Sequence, residues 1–220
     1  MDALKYIENK FKLDLNSRLP IVIPDIGRNG LAELFREIGF KSGAEIGVRE
    51  GEYSEILCRA NPGLKLFGVD PYTNYKGYRD HIKNESFDDY YETAKARLAS
   101  YNFEFVKKFS IDALGDFEDQ SLDFVYIDAN HDFKNCTDDI TGWTKKVRYG
   151  GIISGHDYIK YRRPTNIHCY EVVNAYTSAY DIKPWFMTSS KVIIDGKETV
   201  EASSYIWVNQ PFPSPRGNRE

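Results

Sequence analysis

Four acidic residues stand where short apolar stretches end: Glu45, Asp70, Asp128 and Asp157. A carboxylate in such a place is costly unless a cation, a hydroxyl or a metal answers it. One acid there is unremarkable, but four form a rim suited to reading hydroxyls, a cation or a metal. The segment around the first acid runs Gly43-Ala44-Glu45-Ile46-Gly47-Val48-Arg49-Glu50-Gly51-Glu52-Tyr53-Ser54. Its glycines are spaced G-x-x-x-G, so the dinucleotide pattern G-x-G-x-x-G is absent. Gly47 lets backbone approach a ligand, and Gly51 opens a helix. An acid two residues before the first glycine would repel a pyrophosphate but attract an amino group or a sulfonium. Asp70 follows Gly47 by 23 residues, close to the ~20-residue spacing at which a second-strand acid accepts hydrogen bonds from ribose hydroxyls. Together these features specify a nucleoside with a cationic, amino-acid-like head. A tight strand-to-helix turn with no ligand is the competing reading of the glycines.

A second group of residues could move protons. His131 lies three residues past Asp128 at the entrance to a helix, and an imidazole with an ordinary pKa near ~6.5 suits a general base. The competing reading is a histidine that caps backbone groups. His156 is the second candidate, His168 suits a solvated loop, and His81 suits the surface. Tyr72, Tyr75, Tyr78 and Arg79 cluster after Asp70, and Tyr158, Tyr161, Arg162 and Arg163 cluster after Asp157. Aromatics beside arginines fit sugar faces or phosphates; an exposed lid with a solvated charge run fits as well.

The elements that must hold these residues can be read from periodicity. A short helix is expected over roughly 2–11. A Pro-flanked extended piece, Leu19–Pro24, follows. Leu31, Leu34, Phe35 and Ile38 then recur at helical spacing up to Gly39. Strands are expected to end at Gly47, at Asp70 and near Lys108, and Phe124–Ile127 reads as a fully apolar strand. Helices are expected after Gly51 and over about 87–100. Phe133, Cys136, Ile140, Trp143 and Val147 mark the clearest helix. Gly150-Gly151 should end it, with Ile152-Ile153 opening a buried strand. A short helix should follow Ser110 and Ile111, with Asp112 able to cap it. Val172, Val173 and Tyr176 mark a later helix. Asp195-Gly196 suits a hairpin turn, and Tyr205–Val208 a final strand. Trp185 and Trp207 read as core residues.

Strand–helix alternation with continuously apolar strands implies a parallel sheet covered on both faces. The fold class is therefore α/β, Rossmann-like, with seven mostly parallel strands, an antiparallel C-terminal edge and helices on both faces. Residues 1–40 read as a helical lead-in, 41–210 as the main domain and 211–220 as a flexible tail.

Composition removes other classes. The 220 residues carry a net charge of −4, with 41% hydrophobic and 28% charged residues, so the chain can build a core without disulfide or metal. No apolar run approaches the ~18 residues of a membrane span, and the N-terminus lacks a signal-peptide core. Cys58, Cys136 and Cys169 lie far apart without C-x-x-C. That spacing offers no zinc or disulfide framework and points to a reducing cytoplasm. Slight acidity argues against a dedicated nucleic-acid binder.

Residues 44–51, Gly68-Val69-Asp70-Pro71-Tyr72, Phe124–His131 and Gly150–Tyr158 jointly resemble class I S-adenosylmethionine-dependent methyltransferases. Within that family they are similar to the small O-methyltransferases related to catechol and macrolide-sugar enzymes. The resemblance spans about 40–210. It implies that Gly47 and Gly51 pass beneath the methionine moiety and that Glu45 faces its amino group. Tyr53 and Ser54 would meet its carboxylate at a helix N-terminus. Asp70 would bind the ribose, Ser110 and Ile111 would hold adenine, and Asp128 would ligate a metal or contact the methyl-bearing end. The cofactor implied is S-adenosylmethionine. Magnesium or manganese is left open, with Asp128, His156 and Asp157 as the triad. The family usually presents a third acid or an asparagine there, and a histidine favours manganese over magnesium.

The expected reaction is methyl transfer to a hydroxyl of a small molecule or glycan, with His131, Asp128 and His156 as catalytic candidates. Membrane partners are not expected, and a homodimer is left open. Two alternatives remain at this stage: a catalytically silent binding protein of the same fold, and a nucleotide-sugar or NAD-linked Rossmann enzyme.

Overall fold

The computed structural model describes residues 1–75, 86–163, 165–194, 197–200 and 202–211. Tyr78, Arg79, His81, the Asp195-Gly196 turn and the tail beyond 211 lie outside the described residues.

The chain opens with helix α1 (Ala3–Phe11), strand β1 (Ile21–Pro24) and helix α2 (Arg28–Ile38). β2 (Ser42–Ile46), α3 (Glu52–Ala60) and β3 (Lys65–Val69) carry the first glycine turn and the second acid. α4 (Phe87–Leu98), β4 (Phe103–Val106), the short α5 (Ser110–Ala113) and β5 (Leu122–Ile127) follow. Next come α6 (Phe133–Lys146), β6 (Val147–Gly155), α7 (Cys169–Ala179) and β7 (Phe186–Ser189). A two-stranded ribbon of β8 (Lys191–Ile194) and β9 (Lys197–Val200) stands apart, and β10 (Tyr205–Val208) returns to the main sheet.

That sheet has eight strands in the order β1-β7-β10-β6-β5-β2-β3-β4. Side chains alternate between its faces, as the two-residue period of a strand requires. Phe124 and Tyr126 join Leu31, Phe35 and Leu57 in the core under α1–α3. Val125 and Ile127 join Trp143, Val173 and Trp207 in the core under α6 and α7. Trp185 lies in this second core too, as its sequence context suggested.

Two expectations are corrected. The sheet holds eight strands rather than seven, because the proline-flanked piece at 21–24 pairs in parallel with β7. Its Ile21 and Ile23 are buried while Val22 is 47% exposed, the pattern of an edge strand that tolerates proline. The antiparallel strand, β10, is accordingly not the edge; it sits inside, between β6 and β7.

The end of α6 also differs. The helix stops at Lys146, and Gly150-Gly151 lie within β6. The ladder pairs Leu122 with Val147 and then Phe124 with Ile152, so residues 148–151 bulge opposite Asp123. A Cβ on Gly151 would collide with the Asp123 carbonyl, which is why glycine stands there. At the other short helix, Asp112 lies inside α5, and Phe109 occupies the cap position.

From β2 the chain winds outward through β3 to β4, whereas β5 and β6 lie on the other side of β2. The strand order therefore reverses between β2 and β5. A crevice opens at the carboxyl ends of strands at such a point, and Gly47 and Asp128 stand on its two walls.

Candidate active site

The β2 wall begins at Gly47, whose φ of +92° favours glycine. A Cβ there would overlap the Asp128 carbonyl, so the two walls touch only because the side chain is missing. Gly51 (φ +75°) opens α3, and its bare side faces Leu98 of α4 at 2.9 Å from an ideal Cβ. Asp70 braces this turn. One carboxylate oxygen accepts from the Val48 and Arg49 N–H groups at 3.0 Å each, and the other from the Tyr72 N–H at 2.9 Å.

Glu45 is 2% exposed. Burial pushes its carboxyl up to about 8, against the hydrogen bond donated by the Ser54 hydroxyl. Ser54 is itself fully buried, so its hydroxyl serves Glu45 rather than the crevice. Tyr53 is also turned inward: its ring packs on Tyr126 at 4.3 Å between centroids, and its hydroxyl donates to the Arg28 carbonyl at 3.1 Å.

At the expected adenine end, the Ser110 hydroxyl donates to Asp139 and accepts from the Trp143 indole N–H at 2.8 Å. Ile111 is 47% exposed. Asp139 was not singled out in the sequence. It is 3% exposed, and burial raises its carboxyl to about 7. Its signal was available, since Cys136, Asp139, Ile140 and Trp143 share one face of α6 at helical spacing.

The β5 wall is a cluster of side chains. Asp132 caps α6 by accepting from the Asn135 N–H at 2.8 Å. The Asn130 side chain accepts from the Asp132 N–H at 3.0 Å and donates to the Tyr75 hydroxyl at 3.0 Å. These bonds fix the 128–132 loop. His131 Nε2 then lies 3.3 Å from Asp128 Oδ1 and 3.1 Å from Asp157 Oδ2. His156 Nδ1 lies 3.2 Å from Asp157 Oδ1 and 3.8 Å from Asp128 Oδ2. Burial acts to raise the Asp157 carboxyl, but the hydrogen bond from His156 and the charges of His131, His156 and Arg28 hold it below its ordinary value.

All three members of the expected metal triad meet here. Among the described residues, however, the set whose ligating atoms all lie within 4.8 Å of one another is Asp128, His131 and Asp157. Two carboxylates and an imidazole suit a divalent ion of intermediate softness better than magnesium.

Arg28 is a second residue that sequence reasoning missed. It comes from the lead-in and places Nη1 3.8 Å from Asp128 Oδ2. No local motif marks it, because only the packing of α2 on α3 brings it to the crevice. Other expected pocket residues go elsewhere. Tyr72 is buried and donates to the Arg49 carbonyl. Tyr158 is buried against Trp185, while Tyr161, Arg162 and Arg163 are exposed. The His168 N–H donates to the His131 carbonyl at 2.8 Å. A cavity between β4 and the 114–116 turn, lined by Phe67, Val106, Phe117 and Leu122, holds none of these charged crevice groups.

A family model described as a methyltransferase domain matches residues 44–158, more than half of the chain. The chain belongs to the methyltransferase domain family. Its architecture is the Rossmann-like fold of class I, S-adenosylmethionine-dependent methyltransferases. An O-methyltransferase from Bacillus cereus, solved with S-adenosylhomocysteine, is 16% identical with a TM-score of 0.58, covering 94% of this chain and 91% of that one. The O-methyltransferase TomG from Streptomyces achromogenes, solved with S-adenosylmethionine, is 19% identical with a TM-score of 0.59, covering 96% and 91%. Cofactor-bound Rv0187 from MTB is 17% identical with a TM-score of 0.60, covering 95% and 88%. Among curated proteins, the uncharacterized protein R132 of Acanthamoeba polyphaga mimivirus is 26% identical over 122 residues, 54% of this chain. The match covers 52% of that relative, so the chain spans about half its length. In this methyltransferase fold, no helix among the described residues is long and apolar enough to cross a membrane.

Proposed function

We propose that this chain transfers the methyl group of S-adenosylmethionine to a hydroxyl of a small molecule or sugar, with His131 as the general base. One observation carries the reading: an imidazole is held between two carboxylates at the strand-order reversal, beside the glycine turn. Methyl transfer is an in-line displacement. The acceptor oxygen attacks the sulfonium methyl carbon, the carbon–sulfur bond breaks, and the neutral thioether leaves. The acceptor proton must go elsewhere, because a neutral hydroxyl is a poor nucleophile. An Nε2–H aimed at Asp128 and Asp157 leaves the basic lone pair of His131 on Nδ1. The two carboxylates then stabilise the imidazolium that forms.

The cofactor half would rest on Glu45, Gly47, Gly51 and Asp70, with Ser110 and Ile111 toward the adenine. The three free, buried cysteines support a reducing, cytoplasmic setting.

The Asp128–His131–Asp157 set favours a second reading, in which these residues hold a divalent ion. Such an ion would supply a lower pKa to the acceptor hydroxyl. The roles exclude one another, since a ligating His131 is no longer the base.

Turnover of labelled S-adenosylmethionine over a panel of hydroxyl acceptors tests both. Under the base reading, His131→Ala lowers turnover by roughly 10²–10⁴-fold and leaves S-adenosylhomocysteine affinity unchanged. A wild-type rate in that variant would remove His131 from the chemistry. Activity lost on chelation and restored by manganese would replace the base with the metal. Methylation of amines alone would overturn the hydroxyl acceptor.

A further inference from the structure

Arg28 opens α2, and its helix is anchored by Leu31, Leu34 and Phe35, all fully buried in the core shared with α3. Three contacts tie the residue to both walls of the crevice. Its carbonyl accepts from the Tyr53 hydroxyl in the first turn of α3. Its guanidinium carbon lies 5.5 Å over the Tyr53 ring. Its Nη1 reaches toward Asp128 at the end of β5. The side chain is about one-third exposed.

The methionine end of the cofactor carries an ammonium, a sulfonium and a carboxylate. The acids Asp70, Asp128 and Asp157 suit the two cations, but they repel the carboxylate unless a cation intervenes. The resemblance assigns that carboxylate to Tyr53 and Ser54, and both point inward: Ser54 to Glu45, Tyr53 to the Arg28 carbonyl. Arg49, the cation within the glycine turn, reaches the other way. Its guanidinium donates to the Tyr90 hydroxyl at 3.3 Å and lies 5.1 Å over that ring.

We infer that Arg28 binds the α-carboxylate of the cofactor's methionine moiety, positioned by Asp128 on one side and the Tyr53 ring beneath. A planar guanidinium presents paired N–H donors that match a carboxylate, and an aromatic face beneath it adds attraction without taking those donors. The inference deepens the S-adenosylmethionine reading and rests on it. It also gives the lead-in a task that the motif-bearing segment does not perform.

The test compares two ligands that differ in the group concerned. S-adenosylhomocysteine carries the amino-acid end; 5′-methylthioadenosine is the same nucleoside thioether without it. Each is titrated calorimetrically into the wild-type chain, Arg28→Ala and Arg28→Lys. Loss of a charge-assisted contact should weaken S-adenosylhomocysteine by roughly 10- to 100-fold in Arg28→Ala and leave 5′-methylthioadenosine within about threefold, with partial recovery in Arg28→Lys. Unchanged S-adenosylhomocysteine affinity in Arg28→Ala overturns the contact, and so does an equal loss for both ligands, which would mean that Arg28 merely supports the crevice. Lost turnover with unchanged binding also overturns it and moves Arg28 to the acceptor. A wild-type chain that binds neither ligand overturns the S-adenosylmethionine reading itself, and the contact with it.

Discussion

The two walls of the crevice touch at Gly47 and Asp128, yet they are built in opposite ways. The β2 wall is mostly backbone. Its turn is held by Asp70, 21–22 residues away from the N–H groups it accepts, and by the Gly47 N–H donating to the Val69 carbonyl at 2.9 Å. The β5 wall is mostly side-chain charge. It gathers residues 28, 128, 131, 156 and 157 from three separate parts of the chain. Backbone geometry of this kind is encoded largely by the turn's own glycines. A cluster of charged side chains needs opposite charges brought together in a partly buried place, where each tunes the others. Within one crevice, the two walls are thus held by different physical means, backbone hydrogen bonds on one side and side-chain charge on the other.

The sharpest way to break the comparison is to disturb the contact between the walls. Gly47→Ala places a Cβ against the Asp128 carbonyl at a left-handed φ. It should destabilise the chain by about 2 kcal/mol or more, since alanine is strained there and backbone must move. It should also lower S-adenosylhomocysteine affinity and turnover together. Chemical denaturation and titration measure both. A variant with ordinary stability would mean that the walls are not mutually fitted.

Asp70 tests the backbone wall alone. Asp70→Ala strands the N–H groups of Val48, Arg49 and Tyr72 and removes the acceptor expected for the ribose. Cofactor affinity should fall by about 1–3 kcal/mol, while the response of any residual turnover to His131→Ala stays the same. Unchanged affinity would withdraw the ribose role and leave Asp70 only its brace.

A pH-dependent effect, absent at the acid end of the range, concerns the buried acid below the turn. Burial raises Glu45 from 4.5 to about 8, so the folded chain keeps a proton that the unfolded chain releases. The folded state therefore binds more protons between those pH values. The associated stability is fully present below about pH 4.5 and is lost as pH rises toward 8. Glu45→Gln, which keeps an oxygen for the Ser54 hydroxyl, should flatten this slope. Relative to wild type its stability should rise from pH 5 to pH 8, by an amount on the order of a few kcal/mol at most. Parallel denaturation curves for the two proteins across this range would show that Glu45 titrates normally.

Much of the fold is visible in hydrophobic period. Phe124–Ile127 is buried on both faces as its unbroken apolar run suggests, and the apolar stripe of α6 faces the second core. The errors fall where period is a poor guide. Four residues between prolines could not reveal that they pair with β7, because parallel pairing depends on a partner 165 residues away. The Gly150-Gly151 pair reads as a helix stop by local chemistry, and its use as a bulge depends on the Asp123 backbone lying opposite.

The site divides in the same way. Glu45, Gly47, Asp70, Asp128, His131 and Asp157 can be found from residue type and spacing, because strand ends in a parallel sheet converge on one edge. The sequence by itself therefore determined the α/β class, the acids at the strand ends and the histidine that follows one of them. Only the tertiary structure decided that His131 rather than His156 lies closest to both carboxylates, that Tyr53 and Ser54 turn inward, and that Arg28 arrives from the lead-in. The physical reason is range. Strand and helix periods act over a few residues, whereas a side chain's charge partner is chosen by packing between elements far apart in the chain.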